Sequence, residues 1–180
     1  MSVFQIYQQQ PNYDPTAVQP MRDELIAVGF EELLNPEDVD RAIGNNDGQT
    51  VLAVINSVCG CAAGSARPGV CEALQHKVIP DKLMTVFAGQ DKASTAHLRE
   101  KYLTDIPPSS PFMALFRDGE PLFLLPRHHI EGRTPEEISQ ILTQKFDEFC
   151  SKEGPSITPQ QYAQVVHARA CGSKIPRFNG

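Results

Sequence analysis

Two thiols separated by one glycine, Cys59-Gly60-Cys61, directly follow the apolar run Thr50-Val51-Leu52-Ala53-Val54-Ile55. Small residues come next: Ala62, Ala63, Gly64, Ser65 and Ala66. A strand that ends in close cysteines and feeds the start of a helix is a place for thiol chemistry. The helix N-terminus favours the thiolate, and the thiolate is the attacking species. Three readings of the pair are open: disulfide exchange, metal binding, or neither. Zinc sites usually pair cysteines across about two to four residues. Here a single residue intervenes and no second close pair exists, with Cys71 and His76 as the next imaginable ligands. The metal signal is therefore weak, and no metal is expected. An inert interaction module is the third reading, since a fold does not fix an activity.

Spacing limits the redox chemistry. A relaxed disulfide wants Cα atoms about 4.4–6.8 Å apart and a fixed dihedral. Across one residue this demands a bent backbone, which Gly60 permits. The ring is small, so a Cys59–Cys61 disulfide is expected to be strained and easily reduced. Cys59, exposed in the strand–helix turn, is the better nucleophile, and Cys61 is a strained resolver. Ala62, Ala63, Gly64 and Ala66 either keep side chains away from an incoming sulfur or serve close helix–sheet packing.

The 180 residues suit one domain with a tail. A net charge of −6, with no lysine- and arginine-rich stripe, argues against nucleic acid and against an anionic membrane surface. No run approaches the roughly 20 apolar residues of a membrane span. Met1-Ser2-Val3-Phe4-Gln5-Ile6-Tyr7 is no secretory leader. The expected location is the cytoplasm, where thiols are held reduced. Five cysteines, an odd number, argue there against a structural disulfide framework.

These elements must position the pair. Residues 1–15 read as a flexible, glutamine-rich lead-in. Pro15 or Pro20 opens a helix carrying Met21, Leu25 and Val28, and Asn35-Pro36-Glu37-Asp38 starts a short second one. Thr50–Ser57 reads as a central strand buried on both faces. A helix follows from about Gly60 to Lys77, with a kink expected near Arg67 because Pro68 interrupts it. Leu83–Ala88 is a second buried strand, and Ser94 caps a helix to about Leu103. Phe112–Phe116 and Leu122–Leu125 are strands joined by the tight Asp118-Gly119 turn. Thr134-Pro135-Glu136-Glu137 opens an amphipathic helix through Phe149. Thr158-Pro159 starts a last helix that ends near Cys171-Gly172. Strands alternating with helices, then a hairpin, predict an α/β fold: a mixed sheet with helices on both faces and a helical C-terminal extension over 151–180.

Val54-Ile55-Asn56-Ser57-Val58-Cys59-Gly60-Cys61-Ala62-Ala63-Gly64-Ser65-Ala66-Arg67-Pro68 resembles the bacilliredoxins. So do Val86-Phe87-Ala88-Gly89-Gln90-Asp91-Lys92, Pro108-Ser109-Ser110-Pro111 and Pro126-Arg127-His128-His129-Ile130-Glu131-Gly132. The likeness covers about residues 16–150. It implies a thioredoxin-like fold, with the first cysteine (Cys59) attacking and the second (Cys61) resolving. It also implies a cis proline, Pro111, beside the thiols. The implied reaction removes bacillithiol from mixed disulfides on client proteins, with bacillithiol as thiol co-substrate and no other cofactor. Disulfide isomerase or reductase activity is the family's alternative. Bacillithiol carries a malate, so a cation is expected at its site. Arg67, on the active-site helix, is the leading candidate, ahead of Arg127, His128 and His129. Gly60, Arg67 and Pro111 are thus the expected substrate-binding residues. The tail 151–180 extends past the resemblance, and Cys71 and Cys171 are not part of its motif.

Overall fold

Strand β2 (Thr50–Asn56) forms where the chain is most continuously apolar, and all of its residues are buried. The computed structural model describes residues 10–180. Around β2 lie β1 (Glu31–Glu32), β4 (Lys82–Phe87), β5 (Phe112–Arg117) and β6 (Glu120–Leu125) in the order β1-β4-β2-β5-β6. β1, β4 and β2 run parallel, whereas β5 is antiparallel to β2 and β6 antiparallel to β5. The mixed α/β architecture is the expected one. Asp118 and Gly119 close the β5–β6 hairpin, both at positive φ (52° and 79°). That is the two-residue turn whose twist matches the strands, and asparagine, aspartate and glycine tolerate it best.

Alternation along β2 explains the two layers of helices. Leu52 and Val54 join one core with helix α3 (Ala62–Ala66 continuing over Arg67–Ala73) and with α5 (Pro135–Phe149), through Val70, Leu74, Ile138, Leu142 and Phe146. Val51, Ala53 and Ile55 join another with α2 (Pro36–Ile43) and with α4 (Lys92–His97) and its continuation Leu98–Tyr102, through Val39, Ile43 and Leu98. The starts of these helices follow local chemistry. Asp14 caps α1 (Pro15–Ile26), and Asn35 caps α2. At α5, Thr134 and Glu137 form a reciprocal capping box.

The active-site helix α3 begins as a π-helical turn, Ala62–Ala66, and continues as α-helix over Arg67–Ala73. The Arg67 amide reaches back to the Ala62 carbonyl. The interruption expected at Pro68 therefore takes the form of a widened turn immediately before it, a common device at functional sites. Gly69 lets α3 approach α5 closely, since a Cβ there would lie 2.6 Å from Ile138 Cβ.

Several local expectations are corrected. Helix α4 (Lys92–His97, extended by a π turn Leu98–Tyr102) starts after Asp91, not at Ser94, whose hydroxyl is buried and donates to the Asp91 carbonyl. Residues 1–9 of the lead-in lie outside the described residues. Residues 12–14 are tied down: the Asn12 amide donates to the Gly89 carbonyl, the Tyr13 amide to Gln90 and the Asp14 amide to the Pro176 carbonyl. In the C-terminal extension, β7 (Lys152–Glu153) pairs with β3 (Val78–Ile79). Helix α6 covers only Pro159–Tyr162 and does not reach Cys171. Beyond it the backbone follows tertiary hydrogen bonds. The Ala168 amide donates to Glu24 Oε2, its carbonyl accepts from Arg67, and the Gly172 amide donates to the Val58 carbonyl (2.7 Å). No described helix is long and apolar enough to cross a membrane.

Candidate active site

The segment after β2 turns at Ser57–Gly60 and enters α3 with both thiols at its first turn. Cys59 Sγ and Cys61 Sγ are 2.8 Å apart, both half-buried and both reduced. The Ala62 and Ala63 amides donate to the Cys59 carbonyl, and the Cys59 amide donates to the Ser57 hydroxyl, so the turn is closed on itself. Gly60 between the thiols is exposed.

The two sulfurs are electrostatically unequal. Burial is the largest influence on Cys59 and opposes its ionisation. It is outweighed by hydrogen bonds from Cys61, Ser57 and the Ala62 amide and by the positive field of Arg127, so the Cys59 thiol lies below its ordinary value. Cys61 is pushed up to about 12, first by burial and then by the hydrogen bond and negative charge of Cys59. Cys59 therefore ionises before Cys61, which makes Cys59 the nucleophile of the pair.

Arg127, on the turn after β6, is the cation that acts on these thiols. Its guanidinium donates to Glu131 (2.9 and 3.0 Å) and to the Ser110 carbonyl, and it remains partly exposed. Arg127 therefore links the dithiol to the Ser110–Pro111 loop. The peptide bond between those two residues is cis. His128 and His129 are exposed on the same turn.

Arg67, the leading sequence candidate for holding substrate, is corrected. Its residue is 1% exposed, and its guanidinium donates to Glu24, Asn56 Oδ1, the Ser57 carbonyl and the Ala168 carbonyl. All three guanidinium nitrogens are hydrogen-bonded inside the protein, so Arg67 braces the turn that carries Cys59 and does not face the pocket beside it. The signal that could have revealed this is Glu24, which falls in the buried stripe Val18, Met21, Leu25 of α1. A carboxylate on an apolar face needs a cation, and Arg67 supplies it.

A sequence model of the family described as "Disulphide isomerase" matches residues 13–150. A protein named bacilliredoxin from Salinibacter ruber is 52% identical over 143 residues, covering 79% of this chain and 83% of its own. A bacilliredoxin of Halalkalibacterium halodurans is 50% identical over 139 residues, covering 77% and 95%. One from Bacillus cereus is 52% identical over 132 residues, covering 73% and 90%. The chain belongs to the bacilliredoxin family. With a reduced, asymmetric dithiol at a strand–helix turn, this bacilliredoxin is a thiol–disulfide oxidoreductase.

The remaining cysteines differ from the pair. Cys71 is buried, its thiol is raised by burial, and it points to the Glu24 carbonyl. Cys150 is half-buried and is also raised by burial. Among the described residues one group of metal-ligating donors converges, Glu24, Cys71 and His167, all within 4.8 Å. It does not include Cys59 or Cys61, and the Glu24 carboxylate is already spent on Arg67, His167 and the Ala168 amide. A cation would have to displace the neighbouring guanidinium, so this donor set fits a buried ion-pair network better than a metal. Of the four residues imagined as ligands from the sequence, His76 is engaged with Asp147.

The asymmetry of the pair has a measurable pH signature. Alkylation of Cys59 by iodoacetamide is expected to rise with pH as the thiolate forms, and to reach half its limiting rate below the ordinary thiol value. Cys61 is expected to stay unmodified through the neutral range. In Cys61→Ala the Cys59 midpoint should move upward, because the hydrogen bond from Cys61 is the strongest influence favouring its thiolate. Mass-spectrometric rates at several pH values check this, and an unmoved midpoint would remove Cys61 from the account.

Proposed function

We propose that this bacilliredoxin reduces mixed disulfides between client proteins and bacillithiol. The single observation that carries the reading is the asymmetric pair: a thiolate-forming Cys59 with a protonated thiol 2.8 Å away. The relatives' printed name supports the choice of thiol. Cys59 attacks the bacillithiol sulfur of a client–S–S–bacillithiol bond. The client leaves as a thiolate, takes up a proton and is reduced. Cys59 now carries bacillithiol.

The second half of the cycle uses what was unfavourable in the first. Once Cys59 is in a mixed disulfide, it no longer presents a negative charge or accepts a hydrogen bond. The two influences of Cys59 that raise Cys61 then disappear, leaving burial and the charge of Glu131 against the positive field of Arg127. Cys61 becomes easier to ionise when it is needed. It attacks the Cys59 sulfur, bacillithiol leaves, and a Cys59–Cys61 disulfide remains to be reduced by an external thiol or a reductase. The alternative is direct attack of a second small thiol on the Cys59 adduct.

A release assay tests the reading. One client protein is loaded with bacillithiol or with glutathione, and a second carries an internal disulfide. Wild type should release bacillithiol fastest. Cys61→Ala should accumulate bacillithiol on Cys59 in a one-to-one adduct visible by mass spectrometry. Equal rates on all three substrates would favour a general disulfide reductase or isomerase. Absence of any Cys59 adduct would sink the redox reading altogether.

A further inference from the structure

The segment after residue 150 lies outside the stretch matched by the family, yet it is built into the active site. Three attachments fix it there. The Ala168 amide and carbonyl are bound to Glu24 and Arg67, the Gly172 amide donates to the Val58 carbonyl one residue before Cys59, and the Phe178 amide donates to the Asn12 carbonyl. Ala168 and Ile175 are buried with Val58 and Phe87 in a small core of their own. Between this segment and the first turn of α3 lies a pocket of about 410 Å³. Gly60, Ala63 and Gly64 line one side, and His167, Arg169 and Cys171 line the other. Cys171 Sγ stands 3.8 Å from where a Cβ on Gly60 would be, so the pocket opens directly beside the redox pair.

We infer that this pocket is the binding site for the small-thiol half of the mixed disulfide, and that Arg169 holds its carboxylates. The inference rests on the reading that the small thiol passed to Cys59 carries carboxylates. Three features select a small anion over a stretch of client chain. The volume suits one small molecule. Next to the thiols the α3 side presents only Gly60, Ala63 and Gly64, with Pro68 farther along, and these small residues admit a group close to the Cys59–Cys61 backbone. The third is charge. Arg67 is consumed internally and Arg127 is held by Glu131, whereas Arg169, among the described residues, has no hydrogen-bond or ion-pair partner and is exposed at the pocket. His167 is anchored through Nδ1 to Glu24 and forms a fixed wall. A free guanidinium matches a carboxylate in a two-point hydrogen bond, which a neutral small thiol cannot use.

The test compares small-thiol adducts on one client. The client cysteine is loaded with bacillithiol or with 2-mercaptoethanol, which has no charge, and release rates are followed by mass spectrometry. The ratio of the two rates is measured for wild type, Arg169→Gln, Arg169→Glu and, as a charge control on the same segment, Lys174→Glu. Arg169→Glu should lower the ratio about tenfold, Arg169→Gln less, and Lys174→Glu not at all. Added salt should shrink the wild-type ratio. An unchanged ratio in Arg169→Glu overturns the inference, as does equal slowing on both adducts, which would mean that the pocket holds the client chain. Failure of wild type to release bacillithiol is a different outcome, and it overturns the proposed substrate itself.

Discussion

Cys59→Ser is expected to lower release of a thiol adduct by at least about three orders of magnitude, the largest functional effect of any single change in this chain. A serine hydroxyl in the same turn keeps the shape of the site but offers no anion at neutral pH, and it cannot form the mixed disulfide through which exchange proceeds. Cys61→Ser should behave differently. It keeps a hydroxyl donor beside the Cys59 thiolate and leaves a sulfur at position 59, but it removes the resolver. One round of client reduction should therefore survive, with the Cys59 adduct persisting unless a small thiol is supplied. Single-turnover release followed by mass spectrometry separates the two variants. Activity retained in Cys59→Ser would contradict the assignment of the nucleophile. A burst equal to one enzyme equivalent in Cys61→Ser supports it.

The parts of this site that the sequence made legible are those governed by local chemistry. β2 reads as a strand because seven consecutive residues are buried on both faces. The α5 start reads from Thr134-Pro135-Glu136-Glu137, where every capping contact lies within four residues. What could not be read depends on partners far apart in the chain. Arg67 looks like a surface cation because arginine is seldom fully buried. Its partners lie 43 residues upstream at Glu24 and 101 residues downstream at Ala168, and no local pattern joins them. The path of residues 163–178 is hidden for the same reason. Val165, Val166 and the capping at Thr158 suggest a longer helix, but from Ala168 onward the backbone is recruited by Glu24, Arg67, Val58 and Asn12. Glu31–Glu32 was missed as a strand because a two-residue edge strand shows no burial pattern beyond one exposed and one half-exposed glutamate.

Arg67→Met is expected to be the most destabilising single substitution at the site, by about 3–5 kcal/mol. The Glu24 and Arg67 side chains are at most 1% exposed, and Arg67 Nε lies 2.8 Å from Glu24 Oε2. Methionine has a similar length but no charge. It would leave the Glu24 carboxylate buried with only His167 and one amide as partners, and it would strand the carbonyls of Ser57 and Ala168. For a domain of this size the melting temperature should fall by about 6–20 °C. Urea titration checks the free energy, and a midpoint within error of wild type would show that the pair contributes nothing. The double variant Glu24→Leu/Arg67→Met separates loss of the pair from an uncompensated charge. It should recover part of the deficit, since an apolar pair needs no counterion, although the stranded carbonyls remain. The same network carries a functional consequence. Arg67 holds the Ser57 carbonyl two residues before the nucleophile and the Ala168 carbonyl one residue before Arg169, so in the folded fraction of Arg67→Met both walls of the site lose their common brace. Alkylation of Cys59 in that fraction should therefore shift its pH midpoint as well as its rate, an effect that lowered stability alone would not produce.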